Sequence, residues 1–394
     1  MKRRHFLRTS LAAGTAAAAT LTVGRAAAAV PVGSLGLHNP SWAPGTDDPL
    51  RLSSNENPLG PSERARRAIL DGMGEANRYT HGLAGELREL VAAHHGVDEA
   101  SVVLGNGSTE VLRMAVQAMA GPGGWGPSPA RLVVPDPTFE HVEQYAAPWG
   151  LELLKIPLRP DHSHDMERMR EVARGALVDG SRRPVMAYIC NPNNPTGTLT
   201  LCEEIEAWIR EAEDVVFLVD EAYFEYVDHP SYRTVLPLAL DRPNVVVART
   251  FSKVHGLAGL RVGYGLAHPD AARRIRAFSG MSNLNAMGLL AASASIGDEA
   301  HVARSLRANE EARSVTYQVL DELGLERLPS HANFVLHGIP GDQAAYIRRM
   351  REAGVWVGRQ FPPFVNHNRL SFGTPEEMWR FAEILRDFRR RGWV

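Results

Sequence analysis

The sequence predicts an α/β protein in which a mostly parallel sheet is followed by a smaller α+β region. Three observations predict it. Short runs rich in β-branched residues and apolar on both faces recur at Val102–Leu104, Leu132–Val134, Val185–Ile189, Val215–Val219 and Val245–Ala248. Such runs suit strands buried on both sides. Helix-like stretches alternate with them, for example Glu110–Met119 and Leu201–Ala212; that order is expected when helices cover a parallel sheet. After about residue 275 the order changes. A long helical stretch precedes strand candidates at Asn333–His337, Val355–Val357 and Arg369–Phe372, and a last helix runs from Glu376 to about Arg389.

The amino-terminal residues stand apart from this pattern. Lys2, Arg3, Arg4 and Arg8 form a positive start without an acid; an apolar stretch of small residues runs from Leu11 to Val23, and Ala26–Ala29 follows. This is the three-part layout of a secretory signal. The string Arg3-Arg4-His5-Phe6-Leu7-Arg8 resembles a twin-arginine export signal. The apolar stretch is too short for a bilayer core of about 30 Å. The expectation is export to the periplasm or the exterior, with a cytoplasmic protein as the alternative. Loss of residues 1–29 would remove Lys2, Arg3, Arg4, Arg8 and Arg25, leaving a chain more acidic than its net charge of −2. Residues 30–60, rich in Pro, Gly, Ser and Asn, read as an irregular arm packing with the smaller region. Residues 61–275 are expected to form the large domain and residues 276–394 the small one.

Composition narrows the function classes. With 44% hydrophobic and 22% charged residues the chain is an ordinary globular protein. No basic stripe marks a nucleic-acid partner, and once the signal is removed no membrane partner is expected. Two cysteines exclude a disulfide-rich scaffold. Cys190 ends an apolar run and Cys202 opens a helical one, so two buried thiols are expected rather than a bridge. No metal is expected.

Ligands of open α/β sheets bind beyond the carboxyl ends of the strands, and four predicted strand ends carry polar residues. Val102–Leu104 leads into Gly105-Asn106-Gly107-Ser108-Thr109-Glu110, where Ser108 and Thr109 open a helix whose free N–H groups suit a phosphate. Alone this is an ordinary helix cap, and Glu110 excludes the dinucleotide glycine pattern. Val185–Ile189 leads into the dense turn Asn191-Pro192-Asn193-Asn194-Pro195-Thr196-Gly197. Val215–Val219 ends at Asp220, followed by Glu221-Ala222-Tyr223; a carboxylate there is costly unless paired. Val245–Ala248 leads into Arg249-Thr250-Phe251-Ser252-Lys253 and a glycine-rich run ending at Arg261. A desolvated lysine loses its proton readily and can form a Schiff base. Together these offer a phosphate cradle, an amide for a ring edge, a carboxylate for a ring nitrogen and an amine for an aldehyde, the four contacts that pyridoxal phosphate (PLP) needs.

Further strings carry a family resemblance: Asn55-Glu56-Asn57-Pro58-Leu59-Gly60-Pro61-Ser62, Arg78-Tyr79, Pro137-Thr138-Phe139 and Arg369-Leu370-Ser371-Phe372-Gly373-Thr374. With those above, the chain resembles the fold type I, class I/II aminotransferases over about residues 50–390, most closely the histidinol-phosphate aminotransferase branch. The resemblance implies a seven-stranded, mostly parallel sheet and PLP as cofactor. It implies that Lys253 forms the covalent imine and later shuttles the proton, that Asp220 keeps the pyridine nitrogen protonated, and that Asn194 and Tyr223 contact the phenolic oxygen. It further implies that Phe139 stacks on the ring and that Ser108, Thr109, Ser252 and Arg261 hold the phosphate. Tyr79 would reach the neighbouring subunit's phosphate, giving a homodimer with shared sites. Arg369 would grip the substrate α-carboxylate as a bidentate fork.

The chain departs from the family pattern at His255, at Thr109 and over Val357-Gly358-Arg359-Gln360-Phe361-Pro362-Pro363. Arg359 matches the arginine for a distal substrate phosphate, with shortened spacing to Arg369. Trp149 and Trp356 would either line an enlarged pocket or pack in the core. The leading reading is transfer of an amine from an amino acid to a 2-oxo acid, with a large or aromatic amino acid preferred over histidinol phosphate. The rivals are a PLP-dependent racemase or epimerase, decarboxylase or oxidase, and, from another class, a secreted PLP-binding protein without turnover.

Overall fold

The computed structural model describes residues 48–394 apart from 122–123, 125–128, 181–182 and 281. The expected export signal and most of the arm lie outside the described residues. The described residues form one compact unit. Its strands are β1 (Leu50–Leu52), β2 (Val102–Gly105), β3 (Arg131–Asp136), β4 (Glu152–Pro157), β5 (Val185–Cys190), β6 (Val215–Asp220), β7 (Val245–Thr250), β8 (Gly263–Ala267), β9 (Phe334–Gly338), β10 (Val355–Val357) and β11 (His367–Ser371).

Seven of these form one sheet in the order β2-β8-β7-β6-β5-β3-β4. β8 runs antiparallel to both its neighbours, β2 and β7, and the other pairs are parallel. Every residue of β5, β6 and β7 is buried. Alternation sends Val185, Ala187, Ile189, Val215, Phe217 and Val219 into one core and Met186, Tyr188, Val216 and Leu218 into the other. Helices cover both faces. Met166–Val178 and Cys202–Glu211 bury Met169, Ala173, Ile205 and Trp208 in the first core, whereas Gly107–Met119 buries Val111, Leu112 and Ala115 in the second. That two-sided cover is why these strands read as unbroken apolar runs.

A separate core lies in the carboxyl-terminal part. Helices Glu299–Glu322 and Pro375–Arg390 pack Val319, Leu320, Phe381 and Leu385 against Leu370 of β11 and Leu50 and Leu52 of β1. β9 and β11 pair antiparallel, and β1 pairs parallel with β10. The last helix starts on Thr374, whose side chain accepts from the Glu377 N–H while the Glu377 carboxylate accepts from the Thr374 N–H; this reciprocal cap explains its sharp start.

Three strands have no forerunner in the apolar pattern. β8 carries glycines because other backbone crowds it: a Cβ on Gly263 would sit 2.2 Å from the Ser108 nitrogen. β4 is an edge strand with only Ile156 buried, and β1 is three residues within the segment read as irregular. Cys190 and Cys202 are both buried and free, as expected. Among the described residues no helix is long and apolar enough to cross a membrane, and no group of His, Cys, Asp and Glu is placed to hold a metal.

Candidate active site

The four polar strand ends meet at the carboxyl edge of β2, β5, β6 and β7. Lys253 lies three residues beyond β7, and its Nζ donates to the Asn55 carbonyl oxygen at 3.1 Å. Burial, reinforced by the Arg369 charge, lowers its pKa to about 8. A neutral amine, the nucleophilic form, is therefore accessible near neutral pH.

Asp220 ends β6 and is only 2% exposed. Tyr188 Oη donates to its Oδ2 at 3.0 Å and the Ala222 N–H to its Oδ1 at 3.1 Å. Burial still pushes its pKa up to about 6. No salt bridge to Asp220 is found among the described residues, so a bound cationic N–H would be a stabilising partner.

The anion cradle is built on crowding. Arg261 sits at φ 55°, past the one-turn helix Ala258–Leu260. Its Nη1 donates to Ser252 Oγ at 3.2 Å and its Nη2 to the Asn106 carbonyl oxygen at 3.3 Å. Gly107, at φ 73°, lies beneath the guanidinium, where a Cβ would stand 2.2 Å from Nη2. No side chain fits there. Ser108 and Thr109 follow on the first turn of helix Gly107–Met119, so its free N–H groups and Arg261 converge.

Arg369 on β11 is nearly buried at 9% exposure. Its Nη1 donates to Asn194 Oδ1 at 2.7 Å and its Nη2 to the Ser53 carbonyl oxygen at 2.9 Å, while Nε has no partner. Among the described residues no carboxylate pairs with it. Burial lowers its pKa to about 10. A desolvated guanidinium with a spare donor fits a substrate carboxylate. Asn194 Nδ2 donates to Tyr223 Oη at 3.4 Å, and the Tyr223 ring lies 5.5 Å from Lys253 Nζ.

The structure thus brings Lys253, Asp220, Tyr223, Asn194 and Arg369 together, beside the cradle of Ser108, Ser252 and Arg261. Phe139 packs on the second core and stacks on His141, with ring centroids 4.7 Å apart. Thr109 is half-buried. Tyr79 is 85% exposed and takes no part in its own chain's site. Arg359 is paired with Glu140 at 2.6 Å. Neither reading of Trp356 holds: it neither packs in the core nor lines the pocket, its exposed ring lying on the small β1–β10 sheet near the Arg51 and Arg351 guanidinium groups. Trp149 is half-buried against the second core.

Asn55 is a site residue that sequence reasoning quoted without giving it a role. It is buried at φ 54°, a left-handed conformation that asparagine tolerates. Its Nδ2 donates to Tyr223 Oη at 3.0 Å, Ser371 Oγ donates to its Oδ1 at 2.9 Å, and its carbonyl takes Lys253. The signal was its place at the head of the 55–62 string. The buried pair behind the site was also missed. Glu221 accepts two bonds from Arg249, at 2.8 and 3.1 Å, and both side chains are at most 5% exposed.

Comparison with known proteins agrees with this geometry. The family model "Aminotransferase class I and II" matches residues 47–385. The histidinol-phosphate aminotransferase of Moorella thermoacetica is 35% identical over 347 residues, 87% of this chain and 86% of that protein. A crystal structure from Erwinia carotovora atroseptica, provisionally assigned to the same enzyme, superposes with TM-score 0.84 and 37% identity over 89% of this chain and 99% of that one. The histidinol-phosphate aminotransferase of Sinorhizobium meliloti, solved with pyridoxal 5'-phosphate, superposes with TM-score 0.76 and 26% identity over 86% of this chain and 91% of that one. The family match over residues 47–385 and a 35% identical relative covering 87% of the chain show that this chain belongs to the class I and II aminotransferase family.

Proposed function

We propose that this aminotransferase uses PLP to move the amine of an amino acid, preferably one with a large or aromatic side chain, to a 2-oxo acid. The observation that carries the PLP reading is the Lys253 amine, lowered to about pKa 8 and held between buried Asp220 and unpaired Arg369. When bound, PLP supplies an electron sink for charge developing at the substrate Cα. Asp220 would pair with the ring N–H, Asn194 and Tyr223 would donate to the phenolic oxygen, and Phe139 would pack beside the ring. Arg261, Ser252, Ser108 and Thr109 would hold the phosphate. Arg369 would orient the substrate by its α-carboxylate, and the Lys253 amine, released from the cofactor, would serve as the base for the substrate Cα proton. Catalysis here is mostly positioning plus electrostatics.

A second donor, histidinol phosphate, is favoured by the 35% identical relative of that name. Export separates the two readings, because it would remove the enzyme from cytoplasmic histidine synthesis. What supports export is the twin-arginine string at Arg3–Arg4 and the apolar stretch after it. The homodimer is supported by exposed Tyr79, whose family role lies in the neighbouring subunit's site.

The test is a single turnover without acceptor, on phenylalanine, leucine, glutamate and histidinol phosphate. One equivalent of keto product per site is expected, a 2-oxo acid from the amino acids and a keto phosphate from histidinol phosphate, fastest from a large or aromatic amino acid. Carbon dioxide, the mirror-image amino acid or peroxide would identify a decarboxylase, racemase or oxidase instead. A kcat/KM for histidinol phosphate more than about tenfold above every other donor, about 1.4 kcal/mol in transition-state binding, would assign that substrate.

A further inference from the structure

The substrate side of the site holds an ion pair that the reaction itself does not need. Arg359 Nη2 donates to Glu140 Oε1 at 2.6 Å, and the two side chains keep 54% and 48% of their surface. The Arg359 guanidinium lies 4.2 Å from the Phe361 ring centroid, and the Arg369 guanidinium lies 4.6 Å from the same centroid. One phenyl ring therefore touches both the α-carboxylate arginine and Arg359, a spacing within reach of one amino-acid side chain. Glu140 comes from a distant part of the chain, directly after Phe139 and at the start of helix His141–Ala146. Its charge is felt at Arg369.

We infer that Glu140 is a specificity-determining residue that caps Arg359, so that the far end of the pocket disfavours donors with an anionic tail. The inference rests on the aminotransferase reading, in which Arg369 takes the α-carboxylate. An anionic tail reaching Arg359 must displace Glu140 and then lie beside its carboxylate, and both effects act against it. An uncharged tail leaves the pair intact and packs on Phe361. Because the pair is half-exposed it is a weak contact, so Glu140 grades substrates rather than excluding them. Arg359 alone would be an anion site; with Glu140 across from it the subsite has no net charge.

Calorimetry on the cofactor-loaded protein separates the two classes without turnover. Glutarate carries a distal carboxylate and 4-methylpentanoate does not. Glu140→Gln is expected to tighten glutarate about fivefold, about 1 kcal/mol, and to leave 4-methylpentanoate unchanged. Arg359→Gln should weaken glutarate, and adding it to Glu140→Gln should erase the gain. Equal changes for both ligands, or weaker glutarate binding to Glu140→Gln, would overturn the inference, because a merely structural Glu140 cannot tell the two tails apart. Failure of the aminotransferase reading shows elsewhere, as wild-type protein that yields no 2-oxo acid, while the two binding ratios still report on Glu140.

Discussion

At the scale of single residues, the site is a set of groups held away from their ordinary ionisation. Lys253 is drawn down by burial and the Arg369 charge, whereas burial draws Asp220 up. The sign for Lys253 follows from linkage. The unfolded chain binds the proton more tightly, so this group's stabilising contribution is present above pH 10.5, the ordinary value, and is lost as pH falls through about 8. Capture of PLP by the cofactor-free protein should follow the same neutral amine. Its rate, read by stopped-flow absorbance, should rise with pH and level off above about 8. Arg369→Gln should move that midpoint upward by removing the neighbouring cation; a midpoint that does not move would contradict the electrostatic account. Lys253 and Asp220 were legible in the sequence because each stands at or just beyond the end of an apolar strand, whereas Arg261 was singled out by the family resemblance. Asn55 was not, because its role comes from a left-handed backbone and partners some 170 to 320 residues away, at Tyr223 and Ser371.

Among the elements, the site depends on how the ends of β6 and β7 are tied. Glu221 follows the last residue of β6, and Arg249 lies within β7. Their buried pair also takes bonds from Thr234 Oγ1 and the Val235 N–H, and the guanidinium lies 3.8 Å over the Phe224 ring. Removing one partner leaves a buried charge unpaired, which costs about 3–5 kcal/mol. Arg249→Met should therefore lower unfolding free energy by that amount in denaturant titration. Adding Glu221→Leu should recover most of it, whereas a loss under about 1 kcal/mol in the single variant would mean that the pair contributes little. The central strands were readable because they are buried on both faces, so burial and sequence pattern coincide. β8 was not, since Gly263 and Gly265 are there for close approach to Ser108 and Val111 rather than for strand preference. β4 was hidden by its exposed edge.

For the whole molecule the proposed homodimer makes a prediction that one chain cannot meet. If Tyr79 serves the partner's phosphate, Lys253→Ala and Tyr79→Ala homodimers should each be impaired. A hybrid of the two variants then holds one site with both native residues, and should regain about half the wild-type activity per dimer. Hybrids no more active than the parent variants would place Tyr79 outside the site. Export is checked by fractionation: an Arg3→Lys, Arg4→Lys chain should stay in the cytoplasm; unchanged export of this variant would point to a different route, whereas an unaltered chain found in the cytoplasm would remove the compartment argument against histidinol phosphate.

The central claim is that Lys253 holds the cofactor, and this sequence allows an unusually clean check, because its only lysines are Lys2, Lys155 and Lys253. Burial pulls the Lys155 pKa downward, but the hydrogen bonds and charges of Glu143 and Asp136 together outweigh it and keep the amine protonated, a poor partner for an aldehyde. Borohydride reduction of the PLP-loaded protein followed by peptide mass mapping should find one phosphopyridoxyl group per chain, on Lys253, and none in Lys253→Ala. A label on Lys155, or a label and visible cofactor band that persist in Lys253→Ala, would contradict the account.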